Sequence, residues 1–409
     1  MIIEDEVIIA RYYMETPKSL EKITRNAASE QSTGLGTRSG FETGGLIETY
    51  GAKVVSVDST EIGDLNKGIV EIAYPIKNFG PIIPMLLTTV AGNLFELAEI
   101  KNVKLLDLDI PPAYLSEFKG PKFGASGTRK TLGVFDRPLL GCVIKPCVGL
   151  EPETFAQAAY EASVGGVDFI KDDELISNPA YSPIEVRTSA TMEALDRAEE
   201  ETGEKTLYAV NVTDEVANIM GNAESAISNG ATCLMINVIV TGFSALRMLA
   251  EDQSIKVPIH CHRDMFAAFA RSPAHGISSQ VVSKLARLCG ADHLHAGSID
   301  GKLFEDNDTV IKSSETMRRQ WGEIKPTLPV SSGGQNPCTV EHNFELLGND
   351  FLILAGSGIF GHKDGATSGA KAMRQALNLA ISGTALKDCP VEDKELKTAI
   401  RQWQPSLDK

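Results

Sequence analysis

The segment Gly165-Gly-Val-Asp-Phe-Ile-Lys-Asp-Asp-Glu174 carries the sharpest chemical signal in the chain. If its apolar part is a strand, the two-residue period puts Lys171 and Asp173 on one face and Asp172 on the other. Glu174 can turn inward where the strand ends. Two carboxylates suit a hard cation such as Mg2+ but leave much of its octahedral shell to water and substrate. Reaction of the Lys171 amine with CO2 would replace a positive charge with a carbamate and add a third anionic oxygen. Lys171 would then be both a metal ligand and a candidate general base. A Lys-Asp-Asp-Glu run is also what a solvated turn looks like. The Gly-Gly lead-in, the apolar strand and a place at a barrel mouth argue for the site.

Other chemistry clusters late in the chain. Four of the seven histidines form two His-x-His pairs, His260/His262 and His293/His295, each sharing a strand face. Imidazole binds zinc well, so a zinc cluster is one reading; the oxygen-rich lysine and acid motif explains the chemistry better. His260 and His293 read equally as strand supports or as residues behind the site. Arg263 has a five-donor fork suited to phosphate oxygens. Ser332, Gly333 and Gly334, and then Gly356 and Ser357, offer hydroxyls and approachable backbone amides after two successive strand candidates. Either turn alone is ordinary, but the pair at a barrel mouth favours phosphate.

The elements that must position these residues are legible as a rhythm of short apolar runs. Eight strand candidates are Gly141–Lys145, Val167–Lys171, Thr206–Val210, Cys233–Asn237, Val257–His262, Ala291–His295, Leu328–Ser331 and Asp350–Leu354, with helical patterns between them. That count points to a closed parallel (β/α)8 barrel over residues 131–409, with a C-terminal helical tail after about Thr367. Pro152 fits the first turn of one helix, and Ser182-Pro-Ile-Glu185 predicts another, with Ser182 as N-cap and Glu185 as its reciprocal partner. Residues 1–130 read as an α+β domain, with strands at Val7–Tyr13, Ala52–Val57 and Gly68–Ala73 and a helix at Lys18–Ser29. Lys119–Gly127 reads as a connector.

The 409 residues are enough for a barrel of about 250 residues with a second domain beside it. A formal charge of -15 argues against nucleic acid or an anionic membrane as partner, while a local positive hollow still allows an anionic substrate. Seven cysteines without regular spacing do not form a secreted disulfide framework, and no signal peptide or transmembrane run is legible. A reduced, cytoplasmic protein is the expectation.

GGVDFIKDDE resembles the activating-lysine motif of the RuBisCO superfamily, and GCVIKPCVGL resembles its catalytic-lysine strand. EQSTGLG, TTVAGNLF, IPPAY, HCHRD, HGI, DHLHAG, GKL, SSGG and GSGIFGH follow in family order across most of the chain. The resemblance implies a TIM barrel preceded by a ferredoxin-like α+β domain, and a homodimer that shares its active sites. It implies Mg2+ on carboxylated Lys171, Asp173 and Glu174, and CO2 as the activating group. Lys145 becomes the proton-transfer lysine, useful if burial or nearby cations lower its pKa. His262 lies near the reacting carbons, Arg263 and His295 bind the distal phosphate, and Lys302 rides a mobile loop. Glu30 and Asn93 complete the partner's site.

Three departures shape the functional expectation. Cys147 stands where the carboxylases carry a second lysine, and it reads as a small packing residue rather than a nucleophile. Leu35 and Gly36 replace a hydroxyl and an aromatic residue around one phosphate. These changes place the chain in the noncarboxylating RuBisCO-like branch and argue against ribulose 1,5-bisphosphate carboxylation. Asn93, where the salvage enolase typically has lysine, favours decarboxylation of a 3-oxo sugar-acid 4-phosphate of the 3-oxo-isoapionate type. The alternatives are 2,3-diketo-5-methylthiopentyl-1-phosphate enolase, methylthioribulose-phosphate isomerase and a noncatalytic regulatory protein.

Overall fold

In the computed structural model, which describes residues 4–34 and 39–404, the chain forms two compact units. One comprises Met1–Lys119, Met265–Leu288 and Gln320–Ile324; the other comprises Gly120–Asp264, Cys289–Arg319 and Lys325–Lys409.

The first unit is built on a five-stranded sheet with Val7–Thr16 at its centre. This strand runs antiparallel to Leu65–Pro75 on one side and to Asn102–Asp109 on the other. Lys53–Ile62 extends one edge and the short strand Gly276–Ile277 the other. Ile8, Ala10, Tyr12 and Met14 alternate into the interior at 0% exposure, the two-residue period of a half-buried strand. Helix Leu20–Glu30 buries Leu20, Ile23 and Ala27. The three strands and the helix read from the sequence are all present, each differing by a few residues at its ends.

In the second unit, eight parallel strands close into a barrel. They run Leu139–Val143, Phe169–Lys171, Leu207–Asn211, Cys233–Asn237, Ile259–His262, His293–Gly297, Leu328–Ser332 and Leu352–Ala355. Closure comes from the last strand pairing with the first, Leu352 opposite Leu139. Every strand candidate from the sequence is in the barrel. Leu139, Phe169, Leu207, Cys233, Leu328 and Leu352 are among the residues that fill its interior.

Two local expectations need correction. Helix Gly124–Leu132 begins inside the supposed connector Lys119–Gly127. Its start is pinned by the Asp292 carboxylate, which accepts from the amides of Phe123 at 2.7 Å and Gly124 at 2.6 Å. Ser182 is not the N-cap of the next helix, which runs Ile184–Thr202 after Pro183. The Ile184 amide instead donates to Asn178 Oδ1 at 2.9 Å, while the Ser182 carbonyl accepts from Arg187. Pro152 does open helix Pro152–Val164, as read.

The Gly-Gly lead-in has a packing reason. A Cβ on Gly165 would lie 2.4 Å from Ala370 Cβ, and Gly166 sits at φ +94°, where side chains are strained. This close approach lets helix Ala366–Ser382 lie against the start of the second barrel strand. There Asp168, buried, accepts from Arg137 Nη1 at 2.6 Å and Nη2 at 2.8 Å, from Arg374 Nη2 at 2.8 Å and from the Leu140 amide at 2.8 Å. One carboxylate therefore ties two strands and a distant helix together. Among the described residues, no helix is long and apolar enough to cross a membrane.

Removing that charge leaves two partly buried guanidiniums without their counterion. We expect Asp168→Asn to cost about 3 kcal/mol of unfolding free energy by urea titration.

Candidate active site

Lys171, the last residue of the second barrel strand, is fully buried. Its ammonium donates to the Asp172 carbonyl at 2.8 Å and to Glu174 Oε2 at 2.9 Å. Asp173, on the same face, accepts from Lys145 Nζ at 2.5 Å, and Lys145 lies just beyond the first strand. His262, closing the fifth strand, places Nε2 3.6 Å from Glu174 Oε2. Three separate strands thus deliver Lys145, Lys171, Asp173, Glu174 and His262 to one place. A Cβ on Gly356 would lie 3.0 Å from Lys145 Cε, so the turn after the last strand leaves room for that lysine's stem.

The charges here oppose one another closely. Burial would raise the Glu174 carboxyl, but the Lys171 ammonium and His262 pull it below the usual carboxylate range. Burial would lower Lys145, but Asp173 and Cys147 hold it above its ordinary value. The lowered pKa that proton abstraction by Lys145 would call for is not found, because the Asp173 carboxylate beside it outweighs burial. Burial, aided by Lys171, pushes His262 down to about 3, leaving a neutral imidazole.

Among the described residues no three His, Cys, Asp or Glu side chains converge to hold a metal. Asp173 and Glu174 offer two carboxylates, Glu174 against Lys171 and Asp173 against Lys145. A hard cation fits this set when Lys171 contributes oxygen through a carbamate.

Asp172 points away from the site, as the strand period requires. It is fully buried and accepts from Tyr208 Oη at 2.6 Å, Arg187 Nη2 at 3.0 Å and the Asn211 amide at 2.8 Å. Arg187 also donates to the Ser177 carbonyl at 2.7 Å. The ends of the second and third strands and the following loop are thereby strapped together beneath Lys171, Asp173 and Glu174. Sequence reading missed Arg187 and Tyr208. The available signal was an arginine at helical spacing with Ile184, Thr188, Thr191 and Leu195, on the stripe that the helix buries.

The histidines line the barrel axis. His295 Nδ1 lies 2.6 Å from Ser332 Oγ and its Nε2 lies 2.9 Å from His260 Nε2; the rings of His262 and His295 are 4.3 Å apart. His293 Nε2 meets Thr128 Oγ1 at 2.6 Å, which makes His293 a support on the strand. Burial alone pushes His293 down to about 3.

Gly333 and Gly334 follow Ser332 at φ +102° and +84°, conformations that glycine adopts freely. Ser357 begins a short helix after Gly356. The Lys302 amide donates to the Gly333 carbonyl at 3.0 Å, and its side chain is exposed. Arg263 is paired with Glu305, a residue the sequence did not single out. Glu30 and Asn93 lie in the first unit, where Asn93 Nδ2 is 3.4 Å from Glu30 Oε1. Leu35 and Gly36 lie outside the described residues.

Two stability experiments follow from this packing. Arg187→Met strands the buried Asp172 charge and should cost about 3–5 kcal/mol, part of which Asp172→Asn in the same chain restores. His293, with its folded pKa of about 3 below the ordinary 6.5, favours folding above pH 6.5, and that contribution is lost as pH falls. His293→Leu should therefore flatten the decline of stability from pH 6.5 toward about 5, by about 1.4 kcal/mol per pH unit.

Residues 124–403 match the profile of the ribulose bisphosphate carboxylase large chain catalytic domain, and residues 2–114 match that of its N-terminal domain. The chain is 45% identical to a ribulose bisphosphate carboxylase-like protein of Archaeoglobus fulgidus, over 98% of this chain and 93% of the relative. It is 39% identical to the ribulose bisphosphate carboxylase of Methanocaldococcus jannaschii, over 95% of each. The octameric RuBisCO of Pyrococcus horikoshii, crystallised with sulfate, superimposes with a TM-score of 0.93 at 36% identity, covering 99% of this chain and 95% of that one.

Further archaeal relatives named as carboxylases match over most of the chain. This run of matches overturns the placement in a noncarboxylating branch, and with it the decarboxylase, salvage enolase, isomerase and regulatory readings. The noncarboxylating placement rested on Cys147, Leu35 and Gly36, and the preference for a decarboxylase over the salvage enolase on Asn93. Cys147 leaves the acid and lysine set in place, since its Sγ lies 2.9 Å from Lys145 Nζ without displacing that amine from Asp173. The chain belongs to the ribulose bisphosphate carboxylase large-chain family and is an enzyme of that superfamily.

Proposed function

We propose that the chain catalyses the carboxylation of ribulose 1,5-bisphosphate, with oxygenation as its competing reaction. The observation that carries this reading is the convergence of Lys171, Asp173 and Glu174 with Lys145 and His262 at one barrel mouth. Full-length similarity to archaeal chains named for that activity supports it.

Carboxylated Lys171, Asp173 and Glu174 would hold Mg2+, which when bound supplies Lewis acidity toward a substrate carbonyl. Lys171 carries an amine that adds CO2 and releases a proton. The buried end of the second strand would keep the resulting carbamate in register. Lys145, held protonated by Asp173, is placed to return a proton to the substrate carbon framework. Neutral His262 faces the reacting carbons and can accept one. Arg263 and His295, with Ser332 and the turns at Gly333, Gly334, Gly356 and Ser357, take up phosphate. Lys302 closes over the substrate and excludes water.

Glu30 and Asn93, which meet in the first unit, reach the site of a partner subunit in a homodimer. The seven free thiols fit a reducing, cytoplasmic setting.

The test is incorporation of labelled CO2 into acid-stable product from ribulose 1,5-bisphosphate with Mg2+ and bicarbonate. Exchange of the substrate proton without incorporation would overturn the proposal. Lys171→Ala should lower turnover by about a thousandfold or more and abolish the carbamate signal of 13CO2-treated protein in NMR. Loss of Mg2+ to a chelator should abolish turnover without melting the barrel.

A further inference from the structure

The segment after the sixth barrel strand covers both phosphate-binding elements at once. Glu305 presents both carboxylate oxygens to Arg263, Oε1 at 3.1 Å from Nη1 and Oε2 against Nη2. The pair is nearly dry, with side-chain exposures of 9% for Arg263 and 3% for Glu305. Its seat depends on Gly297, at φ +126°, where a Cβ would lie 3.3 Å from both Arg263 Nη2 and Glu305 Oε2. The same segment sits on the glycine turn. The Gly333 carbonyl accepts from Lys302, a Cβ on Gly333 would lie 2.8 Å from Leu303 Cγ, and one on Gly301 would lie 2.2 Å from the Gly333 oxygen.

We propose that Glu305 determines which anions the Arg263 subsite accepts, by holding the guanidinium until a phosphate displaces it. The inference rests on the reading of Arg263 as a phosphate ligand.

A phosphate brought to this guanidinium while Glu305 remains would put like charges side by side where little water screens them. An incoming anion must therefore exchange with the carboxylate rather than join it. A phosphate dianion, with more charge and more acceptor oxygens, gains more from the arginine fork than Glu305 does. A monoanionic carboxylate gains no more than the group it replaces, and a neutral end gains less. The internal carboxylate thus subtracts a roughly constant amount from every ligand's affinity and leaves only phosphate able to bind well. Leu303 and Phe304 are 42% and 36% exposed, so release of the segment uncovers little buried apolar surface.

The experiment is calorimetric titration of the full chain with inorganic phosphate and, separately, acetate, at fixed ionic strength. The proteins are wild type, Glu305→Gln and Arg263→Gln, with thermal melts to verify folding. Glu305→Gln should bind phosphate about tenfold tighter and gain measurable acetate affinity, and Arg263→Gln should lose phosphate binding. Should Glu305→Gln fail to fold, Glu305→Asp keeps the charge with a shorter reach and should tighten phosphate by a smaller factor.

Unchanged or weaker phosphate binding in the Glu305 variants, while Arg263→Gln still abolishes it, overturns the inference and leaves the phosphate reading standing. Phosphate binding that is indifferent to Arg263→Gln, or undetectable in every protein, overturns the phosphate reading and the inference with it.

Discussion

Asp172 never reaches the site, yet the site is placed by it. The second barrel strand ends at Lys171, and the Asp172 amide adds one more bond to the third strand, donating to the Ala209 carbonyl at 3.1 Å. Asp172 turns to the outside of the barrel and is caught there by the Tyr208 hydroxyl, the Arg187 guanidinium and the Asn211 amide. Because side chains alternate along an extended backbone, fixing Asp172 outward fixes Lys171 and Asp173 inward. A buried, multiply hydrogen-bonded ion pair does not add much net stability, but it tolerates few alternative geometries. Such geometric demand is what a cluster of like-charged ligands needs from the scaffold beneath it.

Inside the mouth, the buried and half-buried charges face opposite ones in three pairs. Lys171 faces Glu174, Lys145 faces Asp173, and Arg263 faces Glu305. Buried carboxylates and amines without partners would cost several kcal/mol each, so the protein part of the site must be near neutrality by itself. A consequence is that ligands enter by exchange. Carboxylation of Lys171 would turn the Lys171–Glu174 attraction into a repulsion that a bound divalent cation would relieve. The histidines escape this requirement by staying neutral, since burial holds His260, His262, His293 and His295 below their ordinary pKa.

The family assignment shows where single-residue differences mislead. Cys147, Leu35 and Gly36 depart from the carboxylase pattern at individual positions, whereas Asn93 keeps its residue and departs only from the salvage enolase. Similarity over nearly the whole chain outweighs them. Cys147 rests against the Lys145 amine without dislodging it, so the loss of a cation there alters the local charge and not the ligand set.

By itself the sequence determined the barrel and the strand ends at which Lys145, Lys171, Asp173, Glu174 and His262 gather, but not the reaction. Eight apolar runs buried on both faces can satisfy their backbones only in a covered parallel sheet, and the period of two assigned Lys171, Asp172 and Asp173 to their faces. Local patterns also placed Pro152 at a helix start and glycines 333 and 334 in a turn. The rest depended on groups far apart in the chain. Ser182 reads as a cap, but the helix begins one residue later, after Pro183, and its first amide, Ile184, donates to Asn178 Oδ1, a loop side chain six residues back. Gly276–Ile277, far along the chain from Asn102–Asp109, adds an edge strand to the first unit's sheet. Glu305 was invisible because a carboxylate becomes a partner for Arg263 only when the sixth strand's loop folds back across Gly297. Periodicity is a property of neighbours along the chain, whereas burial and charge pairing are properties of neighbours in space, and only the tertiary structure specifies those.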